Sequence, residues 1–248
     1  MPTPVPDAED DQIEFRSDVT VEPIRVAARD SDVVWAARVS TAGQASRESV
    51  DTDAAGDAGL IRWLLTHRHG SPFEHNSFTF LVSAPIFVFR EFMRHRIGFS
   101  YNEESGRYRE LKPQFYVPDD SRNLVQTGKP GAYHFVPGTA TQTELTRAVT
   151  MQACTSSYRA YKQMLNAGIA REVARGVLPV CTYSTMYVTC NARSLMAFLS
   201  LRTTHPDSTF PSYPQREIEM VAQAMETIFA AHMPVTHDAF TTAGRVAP

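Results

Sequence analysis

The sequence predicts an α+β fold, with a modest sheet beside about three long helices in a single domain. Three observations predict it. The 248 residues suit one domain, or at most two. A composition that is 43% hydrophobic and 10% aromatic supplies a sizeable core. Stretches with period-two alternation and stretches with helical spacing follow one another irregularly, not in a regular βαβα series.

The elements follow in chain order. Residues 1–16 carry Asp7, Glu9, Asp10, Asp11 and Glu14 with three prolines. A secretory signal needs a basic start and an apolar run, so this segment reads as a disordered acidic tail. Residues 17–26 alternate as a strand, and 30–40 read as a short helix capped by Ser31 or Asp32. A polar loop over 44–58 leads to a helix over 59–69, with Leu60, Ile61, Leu64 and Leu65 on one stripe. Residues 76–83 form a strand with Phe78, Phe80 and Val82 on one face. Pro85 then stands in a first helical turn, where proline is tolerated, and that helix runs through Ile86, Phe89 and Met93 to Arg96. Residues 97–117 are irregular or extended, broken at Gly98 and Gly106. Residues 118–141 form a long surface loop rich in Gly, Pro and Asp. A long helix over 143–166 precedes a second over 170–178, which Pro179 ends. Residues 183–189 are a strand of aromatic and β-branched residues. Asn191 opens a helix that runs to Arg202, a proline-rich connection spans 203–214, and a last long helix covers 214–232. The folded domain is placed at 17–240, with 241–248 as a flexible C-terminus, and no internal repeat is present.

Composition narrows the function. No stretch approaches 18 apolar residues, so no transmembrane helix and no membrane partner are expected. The three cysteines, Cys154, Cys181 and Cys190, are odd in number and lack CxxC spacing. That argues against a disulfide framework and a cysteine zinc site, and fits a reducing cytoplasm. The net charge is −3, and of the 24 basic residues all but Lys112, Lys129 and Lys162 are arginine. A general nucleic-acid binder would be net basic and usually lysine-rich, so no nucleic-acid partner is expected. Codon bias explains a global arginine skew but spreads it evenly. Residues 90–109 hold Arg90, Arg94, Arg96, Arg107 and Arg109, where an even spread puts fewer than two. The planar guanidinium suits bidentate capture of phosphate and pyrimidine edges, so the cluster points to a small anionic ligand.

Three segments carry the chemistry. In residues 90–96 the arginines interleave with Phe92 and Met93 at a helix end. Arg90 and Arg94 share a face, at a like-charge cost of roughly 0.2–0.5 kcal/mol. A solvated basic helix end is the plain alternative to an anion or flavin site. Ser105-Gly106-Arg107 offers a hydroxyl, an unobstructed backbone amide and a guanidinium, and glycine lets a phosphate approach the backbone. In the helix after Asn191, Leu195, Phe198 and Leu199 mark the inward face, and Arg202 falls on that stripe. It is either frayed into solvent or a buried cation awaiting an anionic ligand, because a buried guanidinium is costly unless paired. Arg175, in a mostly apolar helix, raises the same question more weakly. His67, His69, Glu74 and His75 have no helical ligand spacing, and no metal is expected. GxGxxG, GxxxxGK[ST] and GxSxG are all absent, so any flavin is bound by side chains and irregular backbone.

Arg94-His95-Arg96, Ser100-Tyr101-Asn102-Glu103 and Ser105-Gly106-Arg107-Tyr108 together resemble the signature of flavin-dependent thymidylate synthases, RHR, seven residues, then serine. Ala36-Ala37-Arg38-Val39-Ser40, the His69 to His75 stretch, Ala84-Pro85-Ile86-Phe87-Val88, Arg171-Glu172-Val173-Ala174-Arg175 and Asn191-Ala192-Arg193-Ser194-Leu195 match in the same order. The resemblance covers roughly residues 18–232. Here eight residues separate Arg96 from Ser105, the extra one near Gly98-Phe99. Ala197 stands where the family often has a polar residue, the connection after Thr203 is long, and nothing is assigned to Ala197 or His205.

The resemblance implies a small, mostly antiparallel sheet packed with long helices. It implies reductive methylation of dUMP to dTMP, with methylenetetrahydrofolate supplying the carbon and NADPH the hydride through FAD. Flavin contacts map to Ser71, Arg94, His95, Arg96, Glu103 and Asn191. The dUMP contacts map to Glu91, Arg94, Glu104, Ser105, Gly106, Arg107, Arg175 and Arg202. It also implies a homotetramer with active sites shared between subunits, which would reconcile a buried Arg175 and Arg202 with a ligand bound mainly by a neighbour. The family uses no cysteine nucleophile, and Arg202 is the candidate for polarising the pyrimidine electrostatically. An arginine-rich RNA- or DNA-binding module is the rival from another class, and a hydrolase with a metal on His67, His69 and His75 a third reading.

Overall fold

A computed structural model describes residues 12–48, 53–129 and 132–248. Residues 1–11 of the expected acidic tail, and part of the expected 44–58 loop, lie outside the described residues. The elements are β1 (Glu14–Arg16), β2 (Thr20–Ala27), α1 (Asp30–Ala42), α2 (Ala54–Thr66), β3 (Ser77–Pro85), α3 (Ile86–Phe92), β4 (Phe99–Glu103), β5 (Gln114–Tyr116), β6 (Val125–Lys129), β7 (Ala132–Val136), α4 (Ala140–Asn166), α5 (Arg171–Ala174), β8 (Tyr183–Cys190), α6 (Ala192–Arg202), α7 (Arg216–His232) and α8 (Pro234–Thr242). The class is α+β. The described residues divide into two compact units, those within 1–18, 84–89 and 103–184 in the first, and those within 19–83, 90–102 and 185–248 in the second.

The second unit is built on a four-stranded sheet in the order β2-β3-β8-β4, with β2 and β3 antiparallel. Alternation along β3 sends Phe78, Phe80 and Val82 to one face, all fully buried, as the sequence predicts. The α7 helix covers that layer because Ile218, Val221, Ala222, Met225 and Phe229 recur at helical spacing and are all buried. Phe229 meets Phe78 edge-on at 5.9 Å. Burying each such ring stabilises the fold by ~1.5–3 kcal/mol. The first unit pairs β1 with β5 in parallel. It packs Phe15 and Phe115 against Cys154, Tyr158 and Tyr161 of α4. A capping box sets the start of α4, with Gln142 N–H donating to the Thr139 hydroxyl (3.3 Å) and Thr139 N–H to the Gln142 side chain (2.8 Å).

The structure corrects the sequence reading at several boundaries. Glu14–Arg16 is a strand, not tail. The α1 cap is Arg29, neither Ser31 nor Asp32. Asp32 serves from three residues on, its carboxylate accepting from Arg29 N–H at 2.9 Å. Helix α2 begins at Ala54, five residues early, because Asp53 caps it by accepting from Gly56 N–H at 3.0 Å. Pro85 ends a strand, and α3 stops at Phe92 instead of Arg96. The expected 118–141 loop holds the antiparallel hairpin β6–β7. Residues 241–248, expected to be flexible, are packed. Helix α8 reaches Thr242 and Arg245 is 2% exposed. Asp30 fixes α8 by accepting from the N–H groups of Val235 and Thr236 at its N-terminus (3.0 and 2.8 Å).

Candidate active site

In the second unit the Arg94-His95-Arg96 segment forms turns beyond the end of α3. Arg94 N–H donates to the Glu91 carbonyl (3.3 Å) and His95 N–H to that of Phe92 (2.8 Å), each three residues back. Arg90 and Arg94 therefore do not share a helical face, and the like-charge cost expected of them does not arise. The Tyr101 phenol, on β4, shares its proton between the Phe92 and His95 carbonyls at 2.8 and 2.7 Å. That closes the turn on both sides of Arg94. Arg94 and Arg96 are exposed, and neither has an ion pair among the described residues.

Arg202, the last residue of α6, reaches back to this turn. Its Nε–H donates to His95 Nε2 at 3.1 Å, Nη1 to the Glu91 carboxylate, and Nη2 to the Glu91 carbonyl at 3.4 Å. The side chain is 19% exposed, so it is neither frayed into solvent nor an unpaired buried cation. Because His95 Nε2 accepts, its ring is neutral with the proton on Nδ1. Burial, and then the adjacent Arg202 charge, push the His95 pKa down to about 4. Phe92 and Phe198 stack at 4.9 Å beneath the turn, and the His95 ring meets Phe198 edge-on at 4.9 Å.

Asn191 caps α6, its Oδ1 accepting from Ser194 N–H at 2.9 Å. Gly98 lies against that cap in the left-handed region, φ +68°, where a Cβ would fall 2.1 Å from the Ser194 hydroxyl and 3.2 Å from Asn191 Nδ2. Ser71 opens a single 3₁₀ turn, Ser71–Glu74. This turn is tied to the start of α6, since Arg193 pairs with Glu74 at 2.5 Å and Ala192 N–H donates to the Asn76 side chain at 2.8 Å.

The first unit holds the other expected group. Ser105 nucleates the loop, its carbonyl accepting from Tyr108 N–H (3.0 Å) and its hydroxyl from Arg107 N–H (3.3 Å). Gly106 is buried, and a Cβ there would lie 3.1 Å from Leu111 and 3.2 Å from Arg175 Cδ, so the loop and Arg175 pack together because residue 106 has no side chain. Arg175, whose apolar surroundings in the sequence leave open whether it is buried or in solvent, is exposed at the residue that ends α5. Arg107 pairs with Glu172 (3.1 Å) and Arg109 with Glu104 (2.9 Å). Burial raises the Glu103 pKa, with Glu104 adding to it against the opposing pull of Ser184 and Arg175.

The histidines do not converge. His67 and His69 stack on Trp63 at 4.4 and 4.9 Å, His75 leans on Trp35, and Glu74 is on Arg193. Among the described residues no three metal-ligating side chains cluster.

The family model described as thymidylate synthase complementing protein matches residues 24–235. Curated relatives called flavin-dependent thymidylate synthase are 62% identical in Streptomyces avermitilis, over 97% of this chain and 98% of the relative, and 57% identical in Tropheryma whipplei, over 94% and 97%. The chain belongs to the flavin-dependent thymidylate synthase family. A solved structure of the UMP/dUMP methylase PolB from Streptomyces cacaoi, bound with 5-Br dUMP, superimposes with a TM-score of 0.90 at 56% identity, covering 95% of this chain and all of the other. This chain is thus an enzyme of the flavin-dependent thymidylate synthase type.

Within that family frame, sequence reasoning misses residues that shape this region through contacts far along the chain. Tyr101 stands inside the signature, where the sequence shows it only as part of a motif. Phe198 reads as core, which it is, but its stack against Phe92 is not visible in the sequence. Gly98 reads as a breaker, and its left-handed φ is the reason. Arg193 sat in Asn191-Ala192-Arg193-Ser194-Leu195, and nothing in the sequence says that it braces the Ser71 turn. Among the described residues no helix is long and apolar enough to cross a membrane.

Proposed function

We propose that the protein catalyses the reductive methylation of dUMP to dTMP. The folate's methylene carbon is transferred to C5 of the base, C5 loses its proton, and a hydride originating from NADPH completes the methyl group, leaving tetrahydrofolate. The observation that carries this reading is Arg202, a half-buried guanidinium held on Glu91 and His95 at the turn that bears Arg94 and Arg96.

A flavin fits the residues present. Arg94 and Arg96 offer two exposed guanidiniums, without ion-pair partners among the described residues, to the pyrophosphate of FAD. His95, Ser71, Glu103 and Asn191 supply hydrogen-bonding groups. When bound, the flavin supplies the two-electron relay between NADPH and the transferred carbon. Ser105, Gly106, Arg107 and Arg175, with Arg94 and Glu104, hold dUMP, the buried glycine exposing backbone to the phosphate. Arg202 takes the pyrimidine edge and stabilises negative charge as it develops on the ring. No cysteine adds to the base. Sites shared between subunits of a homotetramer would draw these parts from more than one chain. Leu145 and Val149, one turn apart on α4 and 61% and 54% exposed, support assembly.

Purified protein should be yellow, lose its visible absorbance with NADPH in the absence of oxygen, and form dTMP from dUMP and methylenetetrahydrofolate. Arg202→Ala should keep the flavin and lose at least about a hundredfold in turnover, the order expected for one lost stabilising group. Colourless protein that forms no dTMP and binds RNA with steep salt dependence would replace this reading with a nucleic-acid module.

A further inference from the structure

We infer that Cys154 and Cys181 form an oxidation site, a dithiol that a peroxide closes to a disulfide. The coupling of that closure to nucleotide binding rests on the reading of Arg175 as a dUMP contact.

The two sulfurs lie 3.4 Å apart, although their residues are 27 positions apart in the chain. A disulfide needs ~2.0 Å, so closure asks for a shift of about 1.4 Å. Cys154 is buried on α4, and Cys181 is half-buried between α5 and β8. Their shared hydrogen bond lowers the Cys181 pKa and, together with burial, raises that of Cys154. The sulfur nearer solvent is thus the one that ionises more readily, and the thiolate is the form that reacts. In a reducing compartment the pair stays as two thiols until an oxidant arrives.

The peroxide is the two-electron oxidant. The Cys181 thiolate attacks one of its oxygens and the O–O bond breaks, leaving a sulfenic acid on Cys181. The other oxygen departs as an alcohol, or as water, with the proton that Cys181 gave up. Cys154 then attacks the Cys181 sulfur. The S–S bond forms, the S–O bond breaks, and the hydroxyl leaves as water with the Cys154 proton. Two thiols lose two electrons, and the two peroxide oxygens gain them.

Packing carries the closure to the loop that bears Ser105 and Arg107. Ala174 is fully buried in one cluster with Cys154, Phe115, Tyr158 and Tyr161, and Leu178 and Cys181 pack against that cluster. Ala174 and Leu178 flank the 3₁₀ turn Arg175–Val177 on its two sides. Gly106 leaves Arg175 little slack, since a Cβ there would stand 3.2 Å from Arg175 Cδ. The Tyr161 hydroxyl, from the same cluster, accepts from Leu111 N–H at 3.3 Å, just past the loop. A close-packed interior transmits strain instead of absorbing it. Drawing Cys181 toward α4 therefore displaces Arg175 against the loop.

The test compares reduced and hydrogen peroxide-treated flavin-loaded enzyme, wild type beside Cys154→Ala and Cys181→Ala. The readouts are peptide mapping without reductant, free-thiol counts, and dUMP affinity by calorimetric titration. Wild type should lose two thiols and yield one peptide pair joined through Cys154 and Cys181, which dithiothreitol separates. Its dUMP affinity should fall by about tenfold on oxidation, the order of one weakened charge-assisted hydrogen bond, and return on reduction. Cys154→Ala should stop at a sulfenic acid on Cys181, trapped with dimedone. Cys181→Ala should give no linked peptide and keep its dUMP affinity through the peroxide treatment. Wild type that keeps both thiols, or that joins either cysteine to Cys190 or to a second chain, overturns the site. A Cys154–Cys181 disulfide at unchanged dUMP affinity overturns the coupling to Arg175. Reduced wild type that binds no dUMP sinks the reading of Arg175 as a nucleotide contact, while the linked peptide still decides the thiol pair.

Discussion

Arg245 donates from its two terminal nitrogens to separate oxygens of Glu226, at 2.7 and 2.9 Å, and His237 Nε2 lies 2.9 Å from the first of these oxygens. Arg245 also donates to the Thr203 hydroxyl at 2.8 Å, one residue beyond Arg202, so the C-terminal segment braces the end of α6. Burial alone would raise the Glu226 pKa, but hydrogen bonds and charge from His237 and Arg245 hold it down to about 2. A depressed carboxylate contributes stability that is fully present above its ordinary value near 4.5 and is lost as pH falls toward 2. Glu226→Gln should therefore destabilise the protein by ~3–5 kcal/mol at neutral pH, because it leaves the Arg245 guanidinium buried without a counter-charge. Denaturation at pH 7 and pH 3 checks it. The gap between wild type and variant should narrow in acid, and a gap independent of pH would show that the pair does not carry this stability.

Gly98→Ala should damage both folding and flavin binding. Residue 98 has φ +68°, which costs a side-chain-bearing residue roughly 1 kcal/mol, and the added methyl would push on Ser194 and Asn191. Overpacking of this kind costs typically ~1–3 kcal/mol. The expected outcome is a lower melting temperature together with a reduced flavin-to-protein absorbance ratio. A variant with full flavin content would separate Gly98 from the Asn191 site.

How much of this was legible in the sequence depends on where the deciding contact lies along the chain. The Phe78, Phe80 and Val82 face and the Asn191 cap of α6 were legible, because each rests on residues two or three apart. The end of α3 was not. Apolar spacing continues through Met93, and what stops the helix at Phe92 includes the Tyr101 phenol, nine residues on. The β6–β7 hairpin was hidden by its glycine and polar residues, which lack the apolar alternation of a half-buried strand. The arginine cluster was legible as chemistry but not as geometry. Sequence placed Arg202 on an inward stripe and left its partner open, because Glu91 is 111 residues away. The packing of 241–248 depends on Glu226 and was likewise out of reach of local pattern.

Replacing Cys154, Cys181 and Cys190 together by serine or alanine should leave turnover within a few-fold, in a variant shown to be folded. A thiol must ionise to attack C6 of the base. Burial pushes the Cys190 thiol well above its ordinary range. Cys154 and Cys181 share a hydrogen bond across 3.4 Å, and that bond and burial push Cys154 up as well. Cys181 is lowered by the same bond, yet it packs on the Phe115, Tyr158 and Tyr161 cluster. Complete loss of dTMP formation in the folded triple variant would restore a covalent route.

Tyr101→Phe tests whether the phenol holds the turn that carries Arg94, His95 and Arg96. The substitution keeps the ring, with its contacts to Phe92 at 6.2 Å and Phe99 at 5.7 Å, so packing is unchanged. It removes the one proton shared between the Phe92 and His95 carbonyls. Burial already raises the Tyr101 pKa, so the phenol stays protonated and donating across the neutral range. Losing it should cost about 1 kcal/mol of stability. The larger expected effect is on function, because the same turn presents the Glu91 carbonyl and His95 Nε2 to Arg202. A loosened turn should lower flavin affinity and kcat together while the melting temperature falls only slightly. Calorimetric melting, flavin titration and turnover on one preparation decide it. Wild-type flavin affinity and kcat in Tyr101→Phe would mean that backbone hydrogen bonds alone fix the turn.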